Sequence, residues 1–243
     1  MPVTKAVLFD FGGTLFSYTT TMDSRRRRAA ILAEALDHDD HQSVFDALHR
    51  GMESAFEQAK TLPFYLHVDV AISGFREAVS LLGLRWSEAE GRAMVRRTSH
   101  MVLDGIEPRP GMQSTLEALR ERGLHLGGVS NADDSELDAM VATLGVREIF
   151  HHLLSSETAR SCKPHPAIFQ QALAEAGCAA AEAVFVGDTP DTDMAGAAAL
   201  GMRTVLIEDP TEIAFARGRP RLGQLTISEL PELLDLIGKP PSS

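Results

Sequence analysis

The sequence predicts an α/β protein with a doubly wound parallel sheet and an inserted all-helical domain. Two observations lead to this fold class. From Ile106 onward, short apolar runs without a polar face alternate with stretches of helical periodicity, an alternation typical of parallel β-α units. One further apolar run stands alone near the N-terminus, and residues 17–104, which follow it, contain no buried-strand pattern.

Length and composition are those of an ordinary globular protein. The chain has 243 residues, 44% hydrophobic and 23% charged, which is enough for a full core. The formal net charge of −11 argues against a general affinity for nucleic acid or anionic membranes. We find no apolar run of membrane-spanning length and no signal-peptide pattern. Cys162 and Cys178 make no disulfide framework, so we expect a cytoplasmic protein.

The first predicted strand lies in the stretch Ala6–Leu15. Its apolar run ends abruptly in Asp10, which is followed by Gly12, Gly13 and Thr14. Ligands of open α/β sheets bind outside the carboxyl ends of the strands, and this places Asp10 at the mouth of such a crevice. The two glycines allow a sharp turn and the close approach of a ligand. A simple Asp-Gly turn is the alternative interpretation at this point.

Residues 17–104 are predicted to form four helices. Their apolar residues recur at spacings of three and four, and Pro63 separates the second helix from the third. Ser87 and Glu90 match a capping box at the start of the fourth helix, and Asp23 or Ser24 is predicted to cap the first. The predicted helices are 23–36, 41–60, 68–82 and 87–103. An insertion after the first strand begins at the crevice, so we expect it to act as a lid.

The second half of the chain is predicted to alternate between helices and strands with right-handed crossovers. The predicted strands are 124–129, 150–154, 183–186, 203–207 and 225–227. The predicted helices are 112–122, 135–144, one from Pro166 to about Ala176, an Ala-rich helix ending at Leu200, and 228–236.

Polar residues follow or flank several of these strands on the carboxyl side: Asp10, Ser130–Asn131, Lys163, Asp188 and Asp193. Singly, they have plain alternatives: a capping turn, a solvated lysine, a first-turn acid that favours the helix dipole. Together at one sheet edge they fit phosphoryl transfer. Carboxylates suit Mg²⁺, a lysine suits a phosphate oxygen, and an aspartate can attack phosphorus to give an aspartyl-phosphate.

On these motifs the chain resembles the haloacid dehalogenase-like hydrolase superfamily, in the branch with a helical cap inserted after the first motif. The motifs are Asp10–Leu15, Val129–Asn131, Lys163–Pro166 with Ile168–Phe169, and Gly187–Asp188 with Asp193 and Ala195–Ala197. The resemblance implies a Rossmann-like core domain at residues 1–16 and 105–243 and a helical cap domain at residues 17–104.

The resemblance also implies a role for each motif residue. Asp10 is expected to be the nucleophile, and Lys163 to steady both Asp10 and the phosphate. The expected phosphate or substrate contacts are Thr14, Ser130, Asn131 and Lys163. The expected ligands of Mg²⁺ are Asp10, the backbone carbonyl of Gly12, Asp188 and, directly or through water, Asp193.

Position 12 departs from the pattern of phosphatases in this superfamily. They usually carry a second Asp two residues after the nucleophile, which protonates the leaving oxygen and later activates water. Here the residue is Gly12, and the loss of general acid–base help typically costs a factor of about 10²–10⁴. Asp133, Asp134 and His165 are candidates for a replacement acid.

Three interpretations stay open. The first, which we favour, is a Mg²⁺-dependent phosphatase of a small phosphorylated metabolite. The second is a 2-haloacid dehalogenase-like hydrolase, because a halide leaves without a proton; such enzymes need no metal, so Asp188 and Asp193 argue against it. The third is a catalytically impaired member that binds a phosphorylated ligand or a protein.

Other features are assigned structural roles or left open. The run Arg25–Arg28 is expected to be a solvated face rather than a grip on an anionic substrate. No pair of histidines has the spacing of a helical metal site, and Trp86 is expected to pack within the cap. A monomer and a homodimer are both compatible with the sequence, and the substrate itself is not predicted.

Overall fold

The computed structural model describes residues 3–17, 21–208 and 225–237. These residues fall into two compact units. Residues 3–17, 107–208 and 225–237 form one, called here the sheet unit, and residues 21–106 form the other, called the helical unit.

Eight strands occur among the described residues, all in the sheet unit. They are β1 (Ala6–Phe9), β2 (Phe16–Ser17), β3 (Glu107–Pro108), β4 (His125–Ser130), β5 (His152–Ser155), β6 (Ala183–Gly187), β7 (Arg203–Ile207) and β8 (Leu225–Ile227). Strands β2 and β3 pair antiparallel as a separate ribbon. The other six form one parallel sheet in the order β5-β4-β1-β6-β7-β8. The predicted fold class is confirmed, since the chain winds outward from a central β1 in both directions.

The register of the central strands brings their carboxyl ends to one edge. Phe9, the last residue of β1, lies opposite Gly128 in β4 and Val186 in β6. Asp10 therefore emerges beside the end of β4, which closes at Ser130. β1 and β6 are buried along their whole length, which explains why both appear in the sequence as uninterrupted apolar runs.

Ten α-helices are present in the described parts of the chain. The helical unit contains α1 (Thr21–Leu36), α2 (His41–Ala59), α3 (His67–Leu81) and α4 (Glu88–Thr98). The sheet unit contains α5 (Met112–Glu121), α6 (Asp134–Leu144), α7 (Ser156–Ala159), α8 (Pro166–Ala176), α9 (Ala195–Ala199) and α10 (Leu233–Leu236). None of the described helices is both long and apolar enough to cross a membrane.

The helical unit has a core of its own. Leu32 of α1, Val44 of α2, and Phe75 and Val79 of α3 are buried together, and Trp86 packs against this cluster as predicted. A fully buried side chain of this kind contributes about 1.5–3 kcal/mol relative to exposure. Much of the periodic apolar surface of these helices is therefore buried within the unit itself, although Phe56 of α2 and Leu81 of α3 are exposed.

The arginine run lies in α1 and makes contacts inside the helical unit. Arg27 pairs with Asp104 at 3.2 Å, and both side chains are exposed. The guanidinium carbon of Arg28 lies 5.4 Å from the centre of the Phe75 ring. Arg26 and Arg27 are exposed, as a solvated face predicts, whereas Arg25 and Arg28 are half-buried.

The two predicted helix caps have different outcomes. The capping box is confirmed, since Ser87 Oγ accepts from the Glu90 amide and Glu90 accepts from the Ser87 amide. The predicted cap of the first helix is wrong because α1 already begins at Thr21. Ser24, inside its first turn, donates instead to the Met101 carbonyl at 2.8 Å.

Two predicted helices are shorter than expected. The helix predicted at 87–103 changes to a 3₁₀ turn at Ser99–Val102. The closing helix is reduced to α10, preceded by a 3₁₀ turn at Leu230–Glu232. Pro231 lies in that turn, and a proline has no amide hydrogen to extend a helix.

Candidate active site

The site is organised around Asp10, the first residue after β1. Its amide donates to the Val186 carbonyl at 2.9 Å, which continues the pairing of β1 with β6. Its carboxylate is held at both oxygens: Oδ2 accepts from Thr14 Oγ1 at 3.0 Å, and Oδ1 accepts from Lys163 Nζ at 2.6 Å. Asp10 is 7% exposed, so this carboxylate depends on protein donors rather than water.

The turn that follows carries Thr14 back toward Asp10. Gly13 has φ of +79°, a left-handed conformation that glycine adopts without steric cost. The amides of Thr14 and Leu15 both donate to the Phe11 carbonyl, at 3.2 and 2.9 Å. This tight turn is what places the Thr14 hydroxyl on the carboxylate four residues earlier.

Lys163 reaches the site from the segment between α7 and α8 rather than from a strand end, and its peptide bond to Pro164 is cis. Besides Asp10, its ammonium donates to the Val129 carbonyl at 3.0 Å and lies 2.8 Å from Asp193 Oδ1. Burial lowers the pKa of Lys163, but the carboxylates of Asp10 and Asp193 outweigh it and raise the pKa above its ordinary value. The side chain is therefore a permanent cation.

Two more carboxylates come from the segment after β6. Asp188 follows that strand directly and accepts from Thr189 Oγ1 at 3.0 Å. Asp193 lies in a short π-helical turn at Pro190–Met194 and accepts from the Thr189 amide at 3.2 Å. Its side chain fills the space over Gly187, where an added Cβ would lie 2.5 Å from Asp193 Oδ2. Burial raises the pKa of Asp193 to about 6, against the opposing effect of Lys163.

Asp10, Asp188 and Asp193 form one cluster. Each offers an oxygen within 4.8 Å of the others, and all three residues are buried. Such convergence of like charges is unfavourable by itself. A compact set of carboxylate oxygens is the ligand type that Mg²⁺ prefers, so these three residues are suited to hold a divalent cation.

The remaining predicted residues lie around this cluster. Ser130 is buried at the end of β4, beside β1. Asn131 binds the backbone of Lys163 with both ends of its amide, and its contact with phosphate or substrate stays a prediction. Nδ2 donates to the Lys163 carbonyl at 3.0 Å, and Oδ1 accepts from the Lys163 amide at 2.7 Å. Gly12 lies in the turn after β1, in a bridge with Phe16.

The three candidates for a replacement acid differ in their surroundings. The Asp134 carboxylate accepts from the hydroxyls of Ser155 and Thr158, which gives it a structural role. His165 Nδ1 lies 3.2 Å from Ser161 Oγ. Asp133 is buried at the start of α6.

Arg109 is a residue of this region that sequence reasoning missed. Its buried guanidinium donates from Nε and Nη2 to the Gly13 carbonyl, at 3.0 and 2.5 Å. The sequence shows only an arginine between two prolines, and no spacing rule connects it to a turn 96 residues earlier.

This arrangement agrees with the match of a known family. The model of haloacid dehalogenase-like hydrolases matches residues 4–201. The chain belongs to this family. The resemblance inferred from the four motifs is thus confirmed, and the protein is a hydrolase of the haloacid dehalogenase-like type.

Curated relatives of this hydrolase include phosphatases and a dehalogenase. Ribulose-1,5-bisphosphate 5-phosphatase of Halopiger xanaduensis is 29% identical over 96% of this chain and 98% of its own. Glyceraldehyde 3-phosphate phosphatase of Methanopyrus kandleri is 30% identical over 84% of this chain and 83% of its own. Haloacetate dehalogenase H-2 of a Moraxella species is 29% identical over 51% of this chain and 61% of its own.

Among solved structures, this hydrolase shares its fold with a haloacid dehalogenase-like phosphatase from Thermococcus onnurineus. The TM-score is 0.69 with 23% identity, and the match covers 98% of this chain and 100% of the other.

Proposed function

We propose that the protein is a Mg²⁺-dependent phosphatase that acts on a small phosphorylated metabolite through an aspartyl-phosphate on Asp10. The observation that carries the proposal is the Asp10 carboxylate, held by Thr14 and Lys163 inside a buried cluster of three aspartates. The two phosphatase relatives, similar over most of their length, support the same reaction class.

The donor set fits Mg²⁺. The ammonium of Lys163 offsets one of the three carboxylate charges, and a divalent cation would balance the other two. Asp10, Asp188, Asp193 and the backbone carbonyl of Gly12 would hold the ion. When bound, it neutralises phosphate charge and helps to orient the phosphoryl group.

In the proposed reaction, an Asp10 oxygen attacks phosphorus, and the bond between phosphorus and the leaving oxygen breaks. Water then hydrolyses the acyl phosphate, releasing inorganic phosphate and the free carboxylate. Thr14 and Ser130 bind phosphate oxygens, and Lys163 supplies a fixed positive charge beside Asp10 and the transferred group. Asn131 holds the backbone of Lys163 and is proposed to contact phosphate or substrate as well.

Gly12 gives the leaving oxygen no side-chain acid. The proposed enzyme is therefore expected to prefer substrates whose leaving groups are stable as anions, or to draw the proton from water or from Asp133 or His165. Phosphorylated sugar-like metabolites are the substrates named for the two phosphatase relatives, and we propose this class here. The proposal includes a helical unit that acts as a cap, a cytoplasmic location and a monomer or homodimer.

The test is hydrolysis of p-nitrophenyl phosphate with and without Mg²⁺ by the wild type and by Asp10→Asn. Turnover is expected to need both the ion and Asp10. Asp138→Asn is the matched control because Asp138 is an exposed aspartate paired with Arg147, and it is expected to be as active as the wild type. Full activity in Asp10→Asn would contradict the proposal.

A dehalogenase-like reaction is the second candidate, favoured by Gly12 and by the relative that is a haloacetate dehalogenase. Halide release from chloroacetate or 2-chloropropionate in EDTA, lost in Asp10→Asn, would support it. Inactivity in both assays, together with binding of Mg²⁺ by calorimetry, would favour a catalytically impaired member that binds a phosphorylated ligand or a protein.

A further inference from the structure

Arg109 is a buried cation that the proposed reaction does not use. It is 7% exposed. Its own amide donates to the Leu15 carbonyl at 2.9 Å, next to the ribbon of β2 and β3. Backbone and side chain of Arg109 thus both bind the segment that follows Asp10.

The guanidinium binds one particular peptide group of that segment. The carbonyl of the Gly13–Thr14 peptide accepts from Arg109 Nε at 3.0 Å and from Nη2 at 2.5 Å. The amide of the same peptide, on Thr14, donates to the Phe11 carbonyl at 3.2 Å. With both ends bound, the peptide plane has one orientation, although Gly13 itself has unusual backbone freedom.

That orientation decides where the Thr14 side chain lies. Its hydroxyl donates to Asp10 Oδ2 at 3.0 Å. The two hydrogen bonds of Arg109, the Gly13–Thr14 peptide group and the hydrogen bond of Thr14 therefore connect Arg109 to the proposed nucleophile. The hydrogen bonds of Arg109 are charge-assisted, and the positive charge of the donor makes them stronger than neutral ones.

We propose that Arg109 is a positioning residue: by holding the Gly13 carbonyl, it fixes the Thr14 hydroxyl on Asp10. Its effect on turnover rests on the proposed phosphatase function, whereas the coupling between Arg109 and Thr14 does not. A purely structural role predicts a loss of stability without a specific connection to Thr14.

The kinetic test uses Arg109→Met, which keeps an unbranched apolar stem without donors, and Arg109→Lys, which keeps the charge and a donor. Small misplacement of a reacting group costs about 10²-fold, so Arg109→Met is expected to lower kcat by about 10- to 100-fold with a smaller change in KM. Arg109→Lys is expected to recover part of this loss.

A double-mutant cycle with Thr14→Val, which removes the hydroxyl but keeps the shape, tests the path. If Arg109 acts through Thr14, Arg109→Met lowers kcat much less in the Thr14→Val background. An equal reduction in both backgrounds would overturn the proposal, as would an unchanged kcat in Arg109→Met.

Arg122 provides a matched control within the sheet unit. It also binds backbone carbonyls, since Nη1 donates to Leu234 at 2.6 Å and to Ile237 at 2.7 Å. Arg122→Met is expected to lower stability while leaving kcat unchanged. A comparable loss of kcat in this variant would show that any removed arginine disturbs the reaction.

Urea unfolding of the same variants separates the inference from the proposed function. The losses of unfolding free energy in Arg109→Met and Thr14→Val are expected to be non-additive, and those in Arg122→Met and Thr14→Val to be additive. An inactive wild type with this coupling would refute only the phosphatase function. Additivity in both pairs would overturn the role of Arg109, and Arg109→Lys replaces Arg109→Met if the latter does not fold.

Discussion

Replacing Lys163 with methionine removes the cation that lies between two buried carboxylates. Its ammonium is 2.6 Å from Asp10 and 2.8 Å from Asp193. At such distances and an effective dielectric constant of about 20, each pair is worth about 6 kcal/mol before desolvation. Because desolvation of the lysine offsets much of this, we expect a net loss of about 3–5 kcal/mol in the free energy of unfolding at pH 8.

The loss is expected to depend on pH. Burial already raises the pKa of Asp193 to about 6 while Lys163 opposes it, so removing Lys163 raises this pKa further. A carboxyl with a raised folded-state pKa stabilises the fold when protonated, below its unfolded pKa, and this contribution is lost as pH rises through the folded pKa. The cost of Lys163→Met is therefore expected to be about 2 kcal/mol larger at pH 8 than at pH 5.5.

The assay is urea unfolding in EDTA at both pH values, with wild type and variant side by side. Lys5→Met is the control, because Lys5 pairs with Glu182 at 2.8 Å but is 59% exposed, and such pairs contribute little. A cost for Lys163→Met below about 1 kcal/mol at pH 8, or an equal cost at both pH values, would refute the reasoning.

Three further substitutions test separate features. Gly12→Asp supplies a side-chain acid, so it is expected to raise kcat/KM about 10²-fold for an alkyl phosphate and less for p-nitrophenyl phosphate, whose leaving group is stable as an anion. Gly12 is not among the positive-φ glycines of the described residues, so its backbone accepts a side chain. No gain for the alkyl ester would argue against a missing acid. The free energy of unfolding is expected to fall between pH 8 and pH 5 by about 1 kcal/mol less in His152→Asn than in the wild type, as measured by urea unfolding. Burial, then His125 and His151, lower the pKa of His152 to about 4. At pH 5 this histidine is therefore protonated in the unfolded state but neutral in the folded state. If His152→Asn is as acid-sensitive as the wild type, His152 does not cause the loss of stability. Ser87→Ala is expected to cost about 1 kcal/mol in thermal unfolding by removing the hydroxyl that caps α4, and a neutral result would make the capping box dispensable.

The strands of the parallel sheet are the parts of the fold that the sequence predicts well, both the fully buried β1 and β6 and the edge strand β8, of which only Ile227 is buried. The strands predicted at 203–207 and 225–227 have these same bounds in the structure, and Asp10 and Asp188 follow β1 and β6 as expected. An uninterrupted apolar run has few alternatives to a central strand. The ribbon of β2 and β3 was missed because its strands are only two residues long. In the sequence, the whole helical unit lies between them.

Lys163 lies in the predicted site, but the structural element that positions it was not predicted. The sequence reasoning treated it as one of several strand-end residues, but it lies between two helices, and Asn131 holds its backbone. Asn131 has the same polar groups whether it binds a substrate or a peptide, so residue type alone cannot decide between the two. The position of Asn131 directly after β4 predicts that it lies near the site, but not what it binds.

Arg109 is the opposite case, a residue whose type suggested nothing. An arginine in a Pro-Arg-Pro-Gly sequence is expected to be solvated, since arginine is almost never fully buried unless it is paired. Its burial follows from the ribbon of β2 and β3, which brings residues 107–109 beside the turn after β1. A guanidinium placed there must find acceptors, and the Gly13 carbonyl is one. The same contact that satisfies the buried charge also fixes the turn, so stability and positioning of Asp10 depend on one side chain, and only the coupling with Thr14 separates them.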